Sequence, residues 1–218
     1  MVFSDSEGVI HVWDLSDPSE LVPCCSFRAH EFEAWCAALD TTNDNLIYSG
    51  GDDNCCCIWD IRTPNRSVQS IRHEMGVCSV RNLQTLDNHI STGSYDEYVR
   101  VWDLRTISSS QNAHPILMCH LNGGVWRHKW AIDDSFLVSA CMHSGFSISG
   151  PFLPTLSANT EAKNGTVMHA IGQYRASAKL GYGVDWIQHP SETCWTVATC
   201  SFYDNQVDFS RLSVCNPP

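Results

Sequence analysis

The chain contains no run of about 18 apolar residues, the length a membrane-spanning helix requires, so membrane association is not expected. Basic residues are scarce. Thirteen Lys and Arg stand against 24 Asp and Glu, a formal net charge of −11 at pH 7. General nucleic-acid binding relies on Lys and Arg meeting phosphates and is disfavoured by that balance. An acidic surface suits a basic or cationic partner instead. The opening MVFSDSEGVIHVWD lacks the basic and apolar regions of a secretory signal and reads as a strand pair, which makes a cytoplasmic setting the expectation. No CxxC pair has matching His or Cys spacing, so neither a metal nor a cofactor is expected. The absence of a GxSxG elbow excludes an ordinary α/β-hydrolase arrangement.

Cysteine, by contrast, is abundant, with 12 in 218 residues. Cys55-Cys56-Cys57 occupies consecutive strand positions, and neighbours on a strand point to opposite faces, so the three cannot all hold one ion. Reduced thiols packed as small hydrophobes are the simple reading. With 43% hydrophobic residues the chain can bury a sizeable core within one all-β domain.

What organises the sequence is a repeat. Trp13-Asp14, Trp59-Asp60 and Trp102-Asp103 each follow Val or Ile, at a spacing of roughly 40–45 residues. An acidic residue precedes each Trp at one fixed offset (Glu7, Asp53 and Asp96), and His30 and His73 share another. This is the pattern of a WD-repeat β-propeller, in which each repeat forms a blade of four strands. The expected structural tetrads are His30, Ser49, Asp53 and Trp59, then His73, Thr92 or Ser94, Asp96 and Trp102. In each, a side-chain hydrogen-bond chain would tie a loop to its own blade. The expected units are 1–29 (incomplete), 30–72, 73–121, 122–150 and 181–213, with 151–180 a long connection holding one weak strand near 166–171. About four and a half blades result, and propellers often have seven, so the expectation is the C-terminal part of a seven-bladed propeller.

The divergent segments carry more information. HEFEAW at 30–35, YSGGDD at 48–53, HEMGVC at 73–78, TGSYD at 92–96 and GGVWR at 123–127 occur in order. ACMHSGF at 140–146, YGVDW at 182–186 and ATCSFYD at 198–204 follow. GSYD alone is common among WD repeats, whereas ACMHSGF and ATCSFYD together are specific. The series resembles the WD-repeat diphthine methyl ester hydrolases, called diphthine methyltransferases in older usage, over nearly the whole chain. The resemblance implies a carboxylic ester hydrolase of diphthamide biosynthesis, with elongation factor 2 as its protein substrate. Methylated diphthine on that factor would be hydrolysed to diphthine. The alternatives are a non-catalytic WD-repeat interaction scaffold or an inactive truncated product.

Ester hydrolysis needs a nucleophile, a base and donors for the oxyanion. His143 falls where regular blades carry the turn Asp, and is therefore the base candidate; Ser149 falls where the Trp should be. Cys141 and Ser201 are candidate nucleophiles, with strand alternation placing Cys141 on the side of His143. Asp185, in the entry loop of the fifth unit, is the candidate to orient His143 or attract a cation. Direct attack by an activated water stays open beside a covalent route. The trimethylammonium of diphthine, implied by the resemblance, favours aromatic faces. Trp126, Trp186, Tyr203 and Tyr95, with Glu33 and Glu74, are the expected substrate-binding residues; Trp35 and Phe202 lie in the same rim segments.

Overall fold

The computed structural model describes residues 1–17, 19–107, 113–150, 166–167, 169–174, 180–187 and 194–213. Runs of β-branched and aromatic residues broken by Gly, Asp and Asn become short antiparallel strands. The first sheet holds β1 (Val2–Ser4), β2 (Val9–Asp14) and β3 (Val22–Arg28). The second holds β4 (Ala34–Leu39), β5 (Leu46–Gly51), β6 (Cys55–Asp60) and β7 (Gln69–Arg72). The third runs β8 (Val77–Asn82), β9 (His89–Ser94), β10 (Tyr98–Asp103) and β11 (Leu117–His120). In the fourth, β12 (Arg127–Trp130), β13 (Leu137–Ala140) and β14 (Phe146–Ser149) are followed by an outer strand from further along the chain.

That outer strand differs from the sequence expectation. In place of one weak strand near 166–171, there are two: β15 (Thr166–Val167) adds parallel to β11 of the third sheet, and β16 (Ala170–Tyr174) closes the fourth against β14. Residues 170–174 alternate between half-buried and exposed positions, and Tyr174 meets Phe146 at 5.4 Å. The remainder of the expected connection, 151–165, 168 and 175–179, lies outside the described residues. The fifth sheet comprises β17 (Gly183–Ile187), β18 (Cys194–Ser201) and β19 (Gln206–Ser213).

Strands β4, β8, β12 and β17 contact one another in succession, and β1 contacts β4. The five sheets therefore stand side by side around a common axis as blades of a WD-repeat β-propeller. The core consists of the seams between them. Ile10, Val12, Ala34, Ile47 and Trp59 fill the first seam, and Tyr48, Cys56, Ile58, Val77, Ile90 and Trp102 the second. Val99, Leu117, Val125, Leu137 and Cys141 fill the third, and Val138, Phe146, Val184 and Val197 the fourth. The cysteine triplet obeys strand alternation: Cys56 enters the second seam, while Cys55 and Cys57 face the first. The β1–β2 turn of the first sheet and the turns between the second and third strands of the other four need left-handed backbone, supplied by Gly8 (φ 77°), Asn54 (66°), Glu97 (71°), Met142 (47°) and Asn205 (51°). These turns open on one rim, together with the loops that enter each first strand.

Candidate functional site

In the second blade the expected tetrad is complete. The Trp59 indole N–H donates to Ser49 Oγ at 2.8 Å, and His30 bridges Ser49 Oγ (2.8 Å) to Asp53 (2.9 Å). The third blade departs from it. Trp102 donates to Thr92 Oγ1 and His73 Nε2 meets the same oxygen, both at 2.8 Å, but Asp96 does not reach His73. Arg100, on the strand position held by Cys57 in the second blade, captures both Asp96 oxygens at 2.8 and 2.9 Å. His73 Nδ1 is left buried without a partner, and burial, with Arg100, pulls the ring down to about 4. A further network, absent from the sequence reading, crosses a seam. Ser91 Oγ of β9 accepts from the Trp130 indole at 2.7 Å and meets His128 Nε2 at 2.8 Å, both on β12.

The rim residues occupy equivalent places in successive blades. Trp35 sits at a bulge where β4 begins, Cys78 at the matching bulge of β8, and Trp126 and Tyr182 immediately precede β12 and β17. Trp126 N–H donates to Ala140 O and Tyr182 N–H to Cys200 O, the same ladder position in successive blades. Three of these four equivalent positions are thus aromatic, and they converge. Trp126 meets Trp35 edge-on at 4.7 Å, Tyr95 at 6.1 Å and Tyr182 at 5.3 Å. Tyr182 continues the array to Phe202 at 6.0 Å and Tyr203 at 6.5 Å. Phe202 and Tyr203 are 69% and 59% exposed, far from the norm for large aromatics, so the array opens to solvent.

Beside it lies a cleft of about 380 Å³ lined by Trp35, Asp52, Asn54, Glu74, Met75, Gly76 and Tyr95. Two carboxylates and two aromatic rings in one lining form a surface for a cation with apolar substituents. Tyr95 and Glu74 of the expected set border this cleft, whereas Trp126 and Tyr203 belong to the array. The Arg127 guanidinium already stacks on Trp126 at 5.2 Å. Glu33 is exposed, and its backbone carbonyl accepts from Asp52 N–H. Trp186 is a correction. It lies within β17, roughly 13 Å beyond Tyr182 at strand rise, packs on Trp195 at 5.5 Å and donates to Lys129 O. Tyr182, not Trp186, takes the ladder position of Trp126.

The candidate catalytic residues are not brought together. Cys141 is 1% exposed, sits in the third seam and is pushed up to about 12 by burial, far from a thiolate nucleophile. His143 is exposed with no side-chain hydrogen bond among the described residues. The expectation that the two share a side fails because β13 ends at Ala140 and the chain turns at Met142. Ser201 is buried and donates to Asp204 Oδ2 at 2.6 Å, with no His in that pair. Asp185 lies on β17 and not in an entry loop, and Lys129 holds it at 3.1 Å, so it does not orient His143. The turn bearing His143 does border the array, because Met142 bridges to Gly181, next to Tyr182.

Comparison with known proteins bears on the fold and the family. The WD domain, G-beta repeat family matches residues 21–60 and 65–103. Human diphthine methyltransferase is 36% identical over 190 residues, covering 85% of this chain and 39% of its own length. The Dictyostelium discoideum diphthine methyltransferase homolog is 33% identical over 221 residues, covering 94% of this chain and 57% of its own length. The chain belongs to the diphthine methyltransferase family. It spans about two fifths of the human member it matches. A solved structure titled "Crystal Structure of Mitotic Checkpoint Complex" superposes with a TM-score of 0.73 over 98% of this chain and 59% of its own, at 17% identity, a likeness of fold alone.

Proposed function

We propose that this chain forms the substrate-binding rim of an enzyme of diphthamide biosynthesis that hydrolyses the methyl ester of methylated diphthine on elongation factor 2. The observation that carries the reading is the aromatic and acidic cleft of Trp35, Tyr95, Asp52 and Glu74 in a chain of this family. A trimethylammonium group is a large, weakly hydrated cation. Ring faces attract it by ~0.5–2 kcal/mol each, and carboxylates alongside add charge. Hydrolysis adds water to the ester carbonyl and releases methanol, leaving a carboxylate and a proton. Cys141 is too buried and too weakly acidic to attack, and Ser201 donates its hydroxyl to the Asp204 carboxylate, with no imidazole bonded to its Oγ among the described residues. Water activated by His143, whose ring is exposed at the edge of the array, is therefore the preferred route.

The test is elongation factor 2 carrying methylated diphthine, incubated with a full-length family member that contains this segment. Loss of a methyl mass, with methanol released and no methyl donor required, supports the hydrolase. Gain of a methyl mass from a donor would overturn it in favour of a transferase, and binding without any mass change would favour a scaffold. In the same assay His143→Ala is expected to lower turnover ~100-fold at unchanged melting temperature, the usual scale for loss of a general base.

A further inference from the structure

A second pocket, of about 280 Å³, lies on the axial side of the blades, lined by Val2–Ser4 of β1, Trp35–Ala37 of β4, Ser79–Arg81 of β8 and Arg127 of β12. Its character is opposite to that of the rim cleft. Ser79 is 1% exposed and its Oγ has no partner, and Arg81 Nε is likewise buried and unpartnered. Trp35, the wall shared by both pockets, keeps its indole N–H buried without an acceptor. Ser79 and Arg81 lie two apart on one strand and so share a face. Arg127 adds a second guanidinium, anchored by donation to Cys78 O and Trp126 O at 2.7 Å. The carboxylate whose field reaches Arg81 is Asp185, which Lys129 already holds.

Buried donors left unmatched cost ~1–3 kcal/mol each, so three around one pocket require an explanation. A single anion seated in the pocket would match such donors. Two guanidiniums, a hydroxyl and an indole N–H form a donor set without an acid, and the planar arginine fork matches a carboxylate. Cys36 lines the same pocket, but burial holds its thiol up at about 11 despite the two arginines, so it does not compete as an anion.

We propose that this axial pocket is a carboxylate-binding site formed by Ser79, Arg81 and Arg127. It adjoins the rim cleft through Trp35. If the function proposed above holds, a ligand with its quaternary ammonium on the rim would present the carboxylate product of hydrolysis here.

The experiment titrates the purified chain, ¹⁵N-labelled at its tryptophans, with sodium acetate, tetramethylammonium chloride or inorganic phosphate at constant ionic strength. Acetate should shift the Trp35 indole resonance saturably, assigned by its loss in Trp35→Phe. Arg81→Gln should weaken acetate at least ~10-fold, and Ser79→Ala ~3–10-fold, the loss of a charge-assisted and of a neutral hydrogen bond respectively. Both variants should keep the wild-type affinity for tetramethylammonium, which checks that they remain folded. No saturable acetate binding, equal affinity in Arg81→Gln, or phosphate binding ~10-fold tighter than acetate would each overturn the carboxylate assignment. Acetate binding without tetramethylammonium binding would remove the rim cation site and leave the axial site standing.

Discussion

At the scale of single residues, hydrogen-bond chemistry separates scaffold from site. Ser49 Oγ receives the Trp59 indole and contacts His30, so one hydroxyl holds two buried rings. Ser49→Ala should cost ~1–3 kcal/mol through the two nitrogens it orphans. Trp59→Ala should cost ~3–5 kcal/mol through the emptied seam. Chemical denaturation reads both, and wild-type stability in either would refute the structural role. These residues were legible because His30, Ser49, Asp53 and Trp59 recur at fixed offsets in the next blade. Asp96 was misread for a reason outside the pattern: Arg100, a residue the offsets do not involve, competes for its carboxylate. Cys141 was misread because strand alternation was extended past the end of β13.

At the scale of strands and turns, a side chain's function follows from its place along the strand. Trp126 and Tyr182 stand at the mouths of β12 and β17 and join the array, whereas Trp130 and Trp186, near the far ends of those strands, bond to Ser91 and Lys129 O. Sequence showed aromatic-rich entry segments but not where each strand begins, and four residues decide between rim and base. Tyr95→Ala should therefore weaken tetramethylammonium binding ~3–10-fold, the loss of one ring face, with little change in melting temperature. Trp186→Ala should do the reverse, lowering the melting temperature and leaving cation affinity intact. Calorimetric titration and thermal unfolding on the two variants check this, and equal cation affinity in Tyr95→Ala would remove that ring from the cleft.

At the scale of the whole molecule, the seams bind blade to blade, and one of them contains a titratable latch. His128 is 0% exposed, bonded to Ser91 of the neighbouring blade, and burial beside Arg81, Arg127 and Lys129 drops its ring to about 3. His73 falls to about 4. The ordinary value for both is 6.5. The folded state keeps these rings neutral in water that would protonate them once unfolded. Their contribution is present above 6.5 and is lost as pH falls toward 4, because the unfolded chain takes up protons that the folded chain refuses. Two such groups give a slope of up to ~3 kcal/mol per pH unit when both are neutral in the fold and charged outside it. Carboxylates held low, such as Asp53 with His30, add their loss only below 3.8. Unfolding free energy by urea titration should thus decline between pH 6.5 and pH 4.5, above the range in which the lowered carboxylates lose their contribution. His128→Gln can still meet Ser91 but cannot titrate, so it should be less stable at pH 7 and show about half the wild-type slope across that window. A wild-type stability that stays flat from pH 7 to pH 5 would mean that the blade seam opens to water at His128, and the latch would not exist.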